Sequence, residues 1–168
     1  LRLVRTGGNN TAQNIGAYRV TTSWNEGTLD NAANTLASNG ATWYGPTYST
    51  NWSAPGGDFV TTSGAVTSVS NNTGGIGGTA TYGWDVTTIT QGWYNNTFAN
   101  EGLIVKDVLE NNGNDKVFAS RDNGTAGNRP VLRVTYNPGN ITVDIQASKD
   151  NWIQENTLAK VYGNATTF

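Results

Sequence analysis

VFASRDNGTAGNRPVLRVTY, residues 117–136, is the stretch whose reading decides the fold. It is two β-runs joined by a polar turn. The second run is the clearest alternating strand in the chain: Leu132, Val134 and Tyr136 fall on one face, Val131, Arg133 and Thr135 on the other. The first of those faces is built for a core. Ser120, Arg121, Asp122 and Arg129 stand between the runs, so close to apolar strand residues that a fold covering them requires them to pair with one another. Arg121, Asp122 and Arg129 therefore read as a structural charge cluster.

Outward from this pair the same pattern repeats. Leu1 to Thr6 alternates as a strand broken by Gly7, Gly8, Asn9 and Asn10, and a second strand covers Ile15 to Thr22. Gly27 to Gly57 has no steady period. Its aromatics Trp43, Tyr44, Tyr48 and Trp52 either cover one end of the core or, with Trp43, Tyr44 and Trp52 exposed, form a platform for sugar rings. Phe59 to Thr62 and Ala65 to Ser70 read as a hairpin around Ser63 and Gly64, followed by a glycine-rich turn over Asn71 to Gly78 that lacks the Lys-Ser/Thr ending of a phosphate loop. Ala80 to Trp84 is a strand, and Asp85 caps the single short helix, in which Val86, Ile89 and Trp93 are spaced i, i+3, i+7. Gly102 to Asp107 returns to strand, and Asn111 to Asp115 is a turn. Short strands between turn signals, with no alternation of helix and strand, predict an all-β, antiparallel β-sandwich of jelly-roll type.

The 168 residues suffice for one domain. Its expected extent is residues 1–136, with Asn137, Pro138, Gly139 and Asn140 as a linker and residues 141–168 as a strand extension that completes its own or a neighbouring domain. Starting inside a strand pattern, the chain reads as a processed or excised piece. Only 13% of residues are charged, and a net charge of −2 with scattered basic residues gives no footprint for nucleic acid or an anionic membrane. No run of 18 apolar residues enters a membrane, and no leader-type segment is present in these residues.

Cysteine, histidine and methionine are all absent. That removes thiol chemistry, Cys/His zinc sites, Ser-His-Asp triads and the usual neutral-pH general base. Paired carboxylates remain, with Glu26, Asp85, Asp122 and Glu155 as candidates, but Asp85 is better explained as a helix cap and Asp122 as an arginine partner. No spacing resembles a calcium loop. The expectation is no enzyme, no cofactor and no metal.

Asn-x-Ser/Thr sequons begin at Asn9, Asn51, Asn71, Asn95, Asn123, Asn140 and Asn164. Most fall in expected turns or at strand ends, where a glycan projects into water, and this points to the extracellular face of a cell.

Five stretches together resemble a known family. Tyr18 to Gly27 (YRVTTSWNEG), Gly83 to Thr88 (GWDVTT) leading to Trp93, Asn100 to Leu103 (NEGL), Phe118 to Asp122 (FASRD) and Arg129 to Tyr136 (RPVLRVTY) are similar, in order and spacing, to the motifs of DNRLRE domains. The resemblance implies a non-catalytic β-sandwich module of secreted and surface proteins of archaea and bacteria, related to disaggregatase-type repeats and to carbohydrate-binding modules, some of them alginate-binding. One segment is displaced. ASKDNWIQE (Ala147 to Glu155) followed by YGNAT (Tyr162 to Thr166) is similar to a segment that stands at the start of the family domain, whereas LRLVRT (Leu1 to Thr6) resembles a later strand. The chain looks circularly shifted.

A sandwich without its opening strand exposes an apolar slot and a free sheet edge. The tail carries material to fill it: Ile141, Val143 and Ile145 alternate with polar residues, and Trp152 and Ile153 follow. These five are the expected subunit interface. The reading that results is a structural subunit of an extracellular filament or surface fibre, a homopolymer joined head to tail by donor-strand exchange or as covalent tandem repeats. Two alternatives stand beside it: a tail folded back into its own domain, and a carbohydrate-binding or adhesive module acting on polysaccharide.

Overall fold

The computed structural model describes residues 1–29, 32–33, 40–70, 80–109, 113–137, 140–153, 160–161 and 165–167. It is an all-β sandwich with a single short helix among the described residues. The strands are β1 (Arg2–Gly8), β2 (Gln13–Val20), β3 (Ala32–Ala33), β4 (Phe59–Val69), β5 (Ala80–Gly83), β6 (Leu103–Asp107), β7 (Lys116–Phe118), β8 (Val131–Tyr136), β9 (Ile141–Gln146) and β10 (Lys160–Val161). Helix α1 spans Thr87–Tyr94. One sheet runs β5-β1-β8-β9, with β7 also paired to β1; the facing sheet runs β4-β2-β6; β3 and β10 form a small third ladder. All the pairings are antiparallel.

The core lies between β1 and β2. Leu3, Trp84 and Phe118 meet Ile15, Ala17 and Val69, and Val86 and Ile89 plug one end. Trp84 ties the sheets together: its indole N–H donates to the Ile15 carbonyl at 2.8 Å, and its ring meets Phe118 edge-on at 5.9 Å. Such a contact satisfies the polar end of a buried Trp while its rings fill volume. At the head of α1 the Asp85 carboxylate accepts from the Thr87 N–H at 3.0 Å and the Thr87 hydroxyl at 2.6 Å, answering a free donor of the first turn.

Three local expectations are corrected. Phe59 to Val69 is not a hairpin but one strand, β4, which pairs with β2 at Phe59 and Val60 and again from Ala65 to Val69. Tyr18 alone stands opposite residues 61–64 in a wide bulge. Gly64 lies there because the Tyr18 ring covers it, and a methyl group at Gly64 or at Gly16 would overlap that ring. Gly7 and Gly8 do not break β1; they continue it against Val117 and Lys116, and Gly8 has φ +85°. On β8, Val131 is buried and Tyr136 half-exposed, because the strand starts inside the sandwich and runs out of it. The turn expected over Asn71 to Gly78 lies outside the described residues, as do Pro138 and Gly139.

Arg5 is the largest fully buried side chain. Its guanidinium donates to the carbonyls of Ser70, Gly8 and Asn9 and to the Asn10 side chain. It fastens the turn after β1 to the end of β4, and the carbonyls replace the water that the charge has lost.

Candidate assembly surface

The two sheets are unequal, and the tail of the chain occupies the side where they differ. At one edge they are in step: the Thr67 hydroxyl on β4 donates to the Gly83 carbonyl on β5 at 2.6 Å, and the Tyr82 hydroxyl reaches the Ser70 carbonyl. From that edge inward, β1 faces β2 and β8 faces β6, whose residues together line one cavity of about 470 Å³. Of β9 only Ile145 and Gln146 reach that cavity, and the rest of the strand has no facing strand among the described residues. Among the described residues β6 pairs with β2 alone.

Strands β8 and β9 form a ribbon that projects past the facing sheet. Tyr136 pairs with Ile141, Val134 with Val143 and Leu132 with Ile145, so all six apolar side chains share one face. The other face is polar. Arg133 grips Asp144 through two hydrogen bonds of 2.7 Å, and the Thr135 and Thr142 hydroxyls meet at 2.9 Å. The guanidinium hydrogen bond holds the Asp144 carboxyl below the usual carboxylate range. Only the Leu132 end of the apolar face packs on the core. Tyr136, Ile141, Val143 and Ile145 remain 49, 47, 41 and 49% exposed.

After β9 the chain turns back onto the body and seats a short segment there. The Lys149 ammonium donates to the Trp24 carbonyl at 2.6 Å and lies 4.2 Å from the centre of the Trp24 ring. The Asp150 N–H donates to Glu26 Oε1 at 2.7 Å, and Asp150 Oδ2 accepts from the Arg121 N–H at 2.6 Å. The Asn151 side chain donates to the Ala41 carbonyl at 2.8 Å. Further on, Ser120 donates to the carbonyls of Ala165 and Thr166, and Thr167 bridges Ala119.

At the centre of this seat Arg121 forks onto Glu26, with contacts of 2.5 and 2.9 Å. That hydrogen bond raises the guanidinium pKa further above its ordinary value. Glu26, Asp122 and Asp150 place carboxylate oxygens within 4.8 Å of one another, the one group of three potential metal ligands among the described residues. Arg121 already brings positive charge to it, with its Nε 3.8 Å from Asp122. Burial pushes the Asp150 carboxyl up to about 6, helped by the charges of Glu26 and Asp122 and opposed by the Arg121 N–H and guanidinium.

The remaining sequence candidates fall as follows. Arg129 does not join Arg121 and Asp122; its Nε donates to the Asn123 carbonyl at 2.9 Å and braces the loop before β8. Trp152 is partly exposed, and Ile153 packs near Gly57 and Ile104. Trp52 is buried, with its indole N–H on the Thr42 carbonyl at 2.9 Å; Trp43 leans on Gly56; Tyr44 points to solvent. They share no flat platform. Trp43 instead walls a separate cleft of about 550 Å³ with Phe59, Asp58, Lys106, Ser53 and Thr22. Burial opposes ionisation of Asp58, but hydrogen bonds from Ser53 and Thr22 outweigh it and hold the carboxyl below its ordinary range. Asn9, Asn51, Asn95 and Asn140 are exposed, whereas Asn123 is half-buried and its amide nitrogen is 3.3 Å from the Thr166 carbonyl. Asn71, Glu155 and Asn164 lie outside the described residues.

Sequence reading missed the seat. Glu26 and Arg121 are separated by 95 positions, and Asp150 and Glu26 by 124, so no local pattern joins them. The available signal was the one reading already made: charged residues in a chain this poor in charge need partners.

The fold and the surface together define a β-sandwich with an uncovered apolar ribbon. Comparison of the chain with family models, curated proteins and solved structures returns no match.

Proposed function

We propose that the chain is a structural subunit of an extracellular filament or surface fibre, built from copies of itself joined head to tail. The observation that supports this most is the half-exposed apolar face of the β8–β9 ribbon. Four half-exposed apolar side chains in one row are unusual on a solitary domain. Burying them against a neighbour contributes roughly 4 kcal/mol of gross stabilisation, at about 1 kcal/mol for each half-buried side chain. A head-to-tail contact that does not close into a ring propagates as a fibre. The exposed sequons at Asn9, Asn51, Asn95 and Asn140 agree with placement outside the cell, where glycans are added. Electron microscopy and sedimentation of purified protein over a wide concentration range test the reading. Fibres or a concentration-dependent ladder of multiples are expected; monomers at every concentration would overturn it.

A second reading is favoured by the cleft of Trp43, Asp58 and Lys106, whose size and mix of aromatic, hydroxyl and charged groups suit a saccharide. In this reading the chain is a carbohydrate-binding module. Quenching of tryptophan fluorescence by soluble polysaccharides, lost in Trp43→Ala, is its expected signature, and an unchanged signal across neutral and acidic polymers counts against it.

A further inference from the structure

We infer that the seat formed by Trp24, Glu26, Ala41 and Arg121 is the joint between copies, receiving Lys149, Asp150 and Asn151 from the tail of a second copy in place of the chain's own. The inference rests on the filament reading above and supplies its chemistry.

The chain's own segment shows what fits. A cation lies on the Trp24 ring and carbonyl, a carboxylate meets the Arg121 N–H, a main-chain N–H meets Glu26, and an amide meets the Ala41 carbonyl. All four contacts join residues far apart in sequence, so a tail arriving from another molecule makes the same bonds at the same distances. That equivalence is the condition for exchange of an element between copies.

The connection is a simple one. Ala147 and Ser148 lie between β9 and the seated residues, and Ser148 is exposed. A change of direction at these two residues leaves β9 on its own β8 and hands the rest of the tail to a neighbour, Lys149 to Asn151 together with Ala165 to Thr167, which then meet the neighbour's Ala119 and Ser120. The neighbour's seat then stands next to the end of the ribbon, and its body comes against Tyr136, Ile141, Val143 and Ile145. The exchanged form keeps every hydrogen bond of the closed form and adds the burial of the apolar row. The closed form has no such gain. Concentration therefore selects the exchanged form, since only it requires a second molecule.

The seat is complementary to that segment: it presents the Trp24 ring, the Trp24 carbonyl and the Glu26 carboxylate to the cation and the N–H of the incoming segment, and the Arg121 N–H to its carboxylate.

The absence of cysteine makes the test direct. Asn25 and Ser148 are exposed and adjoin the two sides of the Trp24–Lys149 contact. Two full-length variants, Asn25→Cys and Ser148→Cys, are refolded together at high concentration and treated with a flexible bis-maleimide. A link between position 25 of one chain and position 148 of another, identified by peptide mass, is the expected product. The doubly substituted chain, refolded dilute, gives the same link within one molecule and shows that both positions tolerate the change. As a second measurement, Lys149→Glu is expected to weaken association at least tenfold and Lys149→Arg to retain it. No link between positions 25 and 148 in the mixture, although the doubly substituted chain links them, with association unchanged in Lys149→Glu, would overturn the joint. If fibres are still seen in that case, the filament reading survives with a different contact. If only monomers are seen, that reading fails as well.

Discussion

Replacing Asp150 by Asn is expected to stabilise the protein at neutral pH and to do much less at pH 4.5. In the seated tail, burial raises the Asp150 carboxyl from 3.8 to about 6, so the charged form is disfavoured there relative to the released tail. The sign follows from proton counting. Between pH 3.8 and 6 the seated state binds more protons than the released one, so seating weakens as pH rises and carries its full penalty above pH 6. The difference of about two pKa units corresponds to roughly 3 kcal/mol, and because the group is partly open to solvent, screening reduces this to about 1–2 kcal/mol. Asparagine removes the charge but keeps the geometry. Its oxygen accepts from the Arg121 N–H, and its NH₂ group can donate to Glu26 or to Asp122 Oδ2, which is buried without a hydrogen-bond partner among the described residues. Thermal melting of wild type and Asp150→Asn at pH 7.5 and pH 4.5 measures the effect. The variant should melt roughly 3–6 °C higher at pH 7.5, at about 2–4 °C per kcal/mol for a chain of this size, and the gap should narrow to about a third of that at pH 4.5. A gap that is independent of pH, or a variant less stable than wild type at pH 7.5, would refute the argument that the buried charge is unfavourable.

Other expected outcomes draw on different parts of the molecule. Val143→Asp, at a half-exposed position of the ribbon, should change the melting temperature by little and reduce self-association measured by sedimentation. Phe118→Ala removes a buried ring that meets Trp84 edge-on and should cost about 3–5 kcal/mol in chemical denaturation; a loss under 1 kcal/mol would contradict its place in the core. Gly64→Ala places a methyl group on the Tyr18 ring and should cost about 1–3 kcal/mol, most of it recovered when Tyr18 is also changed to a smaller residue, as a double-mutant cycle would show.

Legibility in the sequence followed the range of the interactions. Strands β1, β2, β5, β6 and β8 were readable because alternation is written into neighbouring residues, and helix α1 because Asp85, Val86 and Ile89 mark its start and inner side. Strand β4 was misread because Ser63-Gly64 has the composition of a turn, whereas the glycine answers to an aromatic ring supplied by β2. The same limit hid Arg5, whose carbonyl partners include Ser70, 65 positions away. The apolar alternation of Ile141, Val143 and Ile145 was plain, but which strand it would pair with was not. In the structure it is β8 of the same chain, leaving the face exposed. Arg129 resembled a partner for Asp122 by proximity in sequence, and the turn after β7 carries it to a backbone carbonyl instead.

Strand β1 pairs with β5, β7 and β8, and every one of those partners begins at residue 80 or later. During synthesis the β2–β4 ladder is able to close once residue 69 has emerged, but β1 waits until residues 80–83, 116–118 and 131 follow. Pairings over such separations form late and slowly, because the loop must close before any contact is gained. The first strand made is therefore among the last to find its place, and for that interval its Leu3-Val4 pair and both its backbone edges are open to other chains. Newly made copies meeting in that interval meet as half-built sheets, when exchange of segments between them is least hindered.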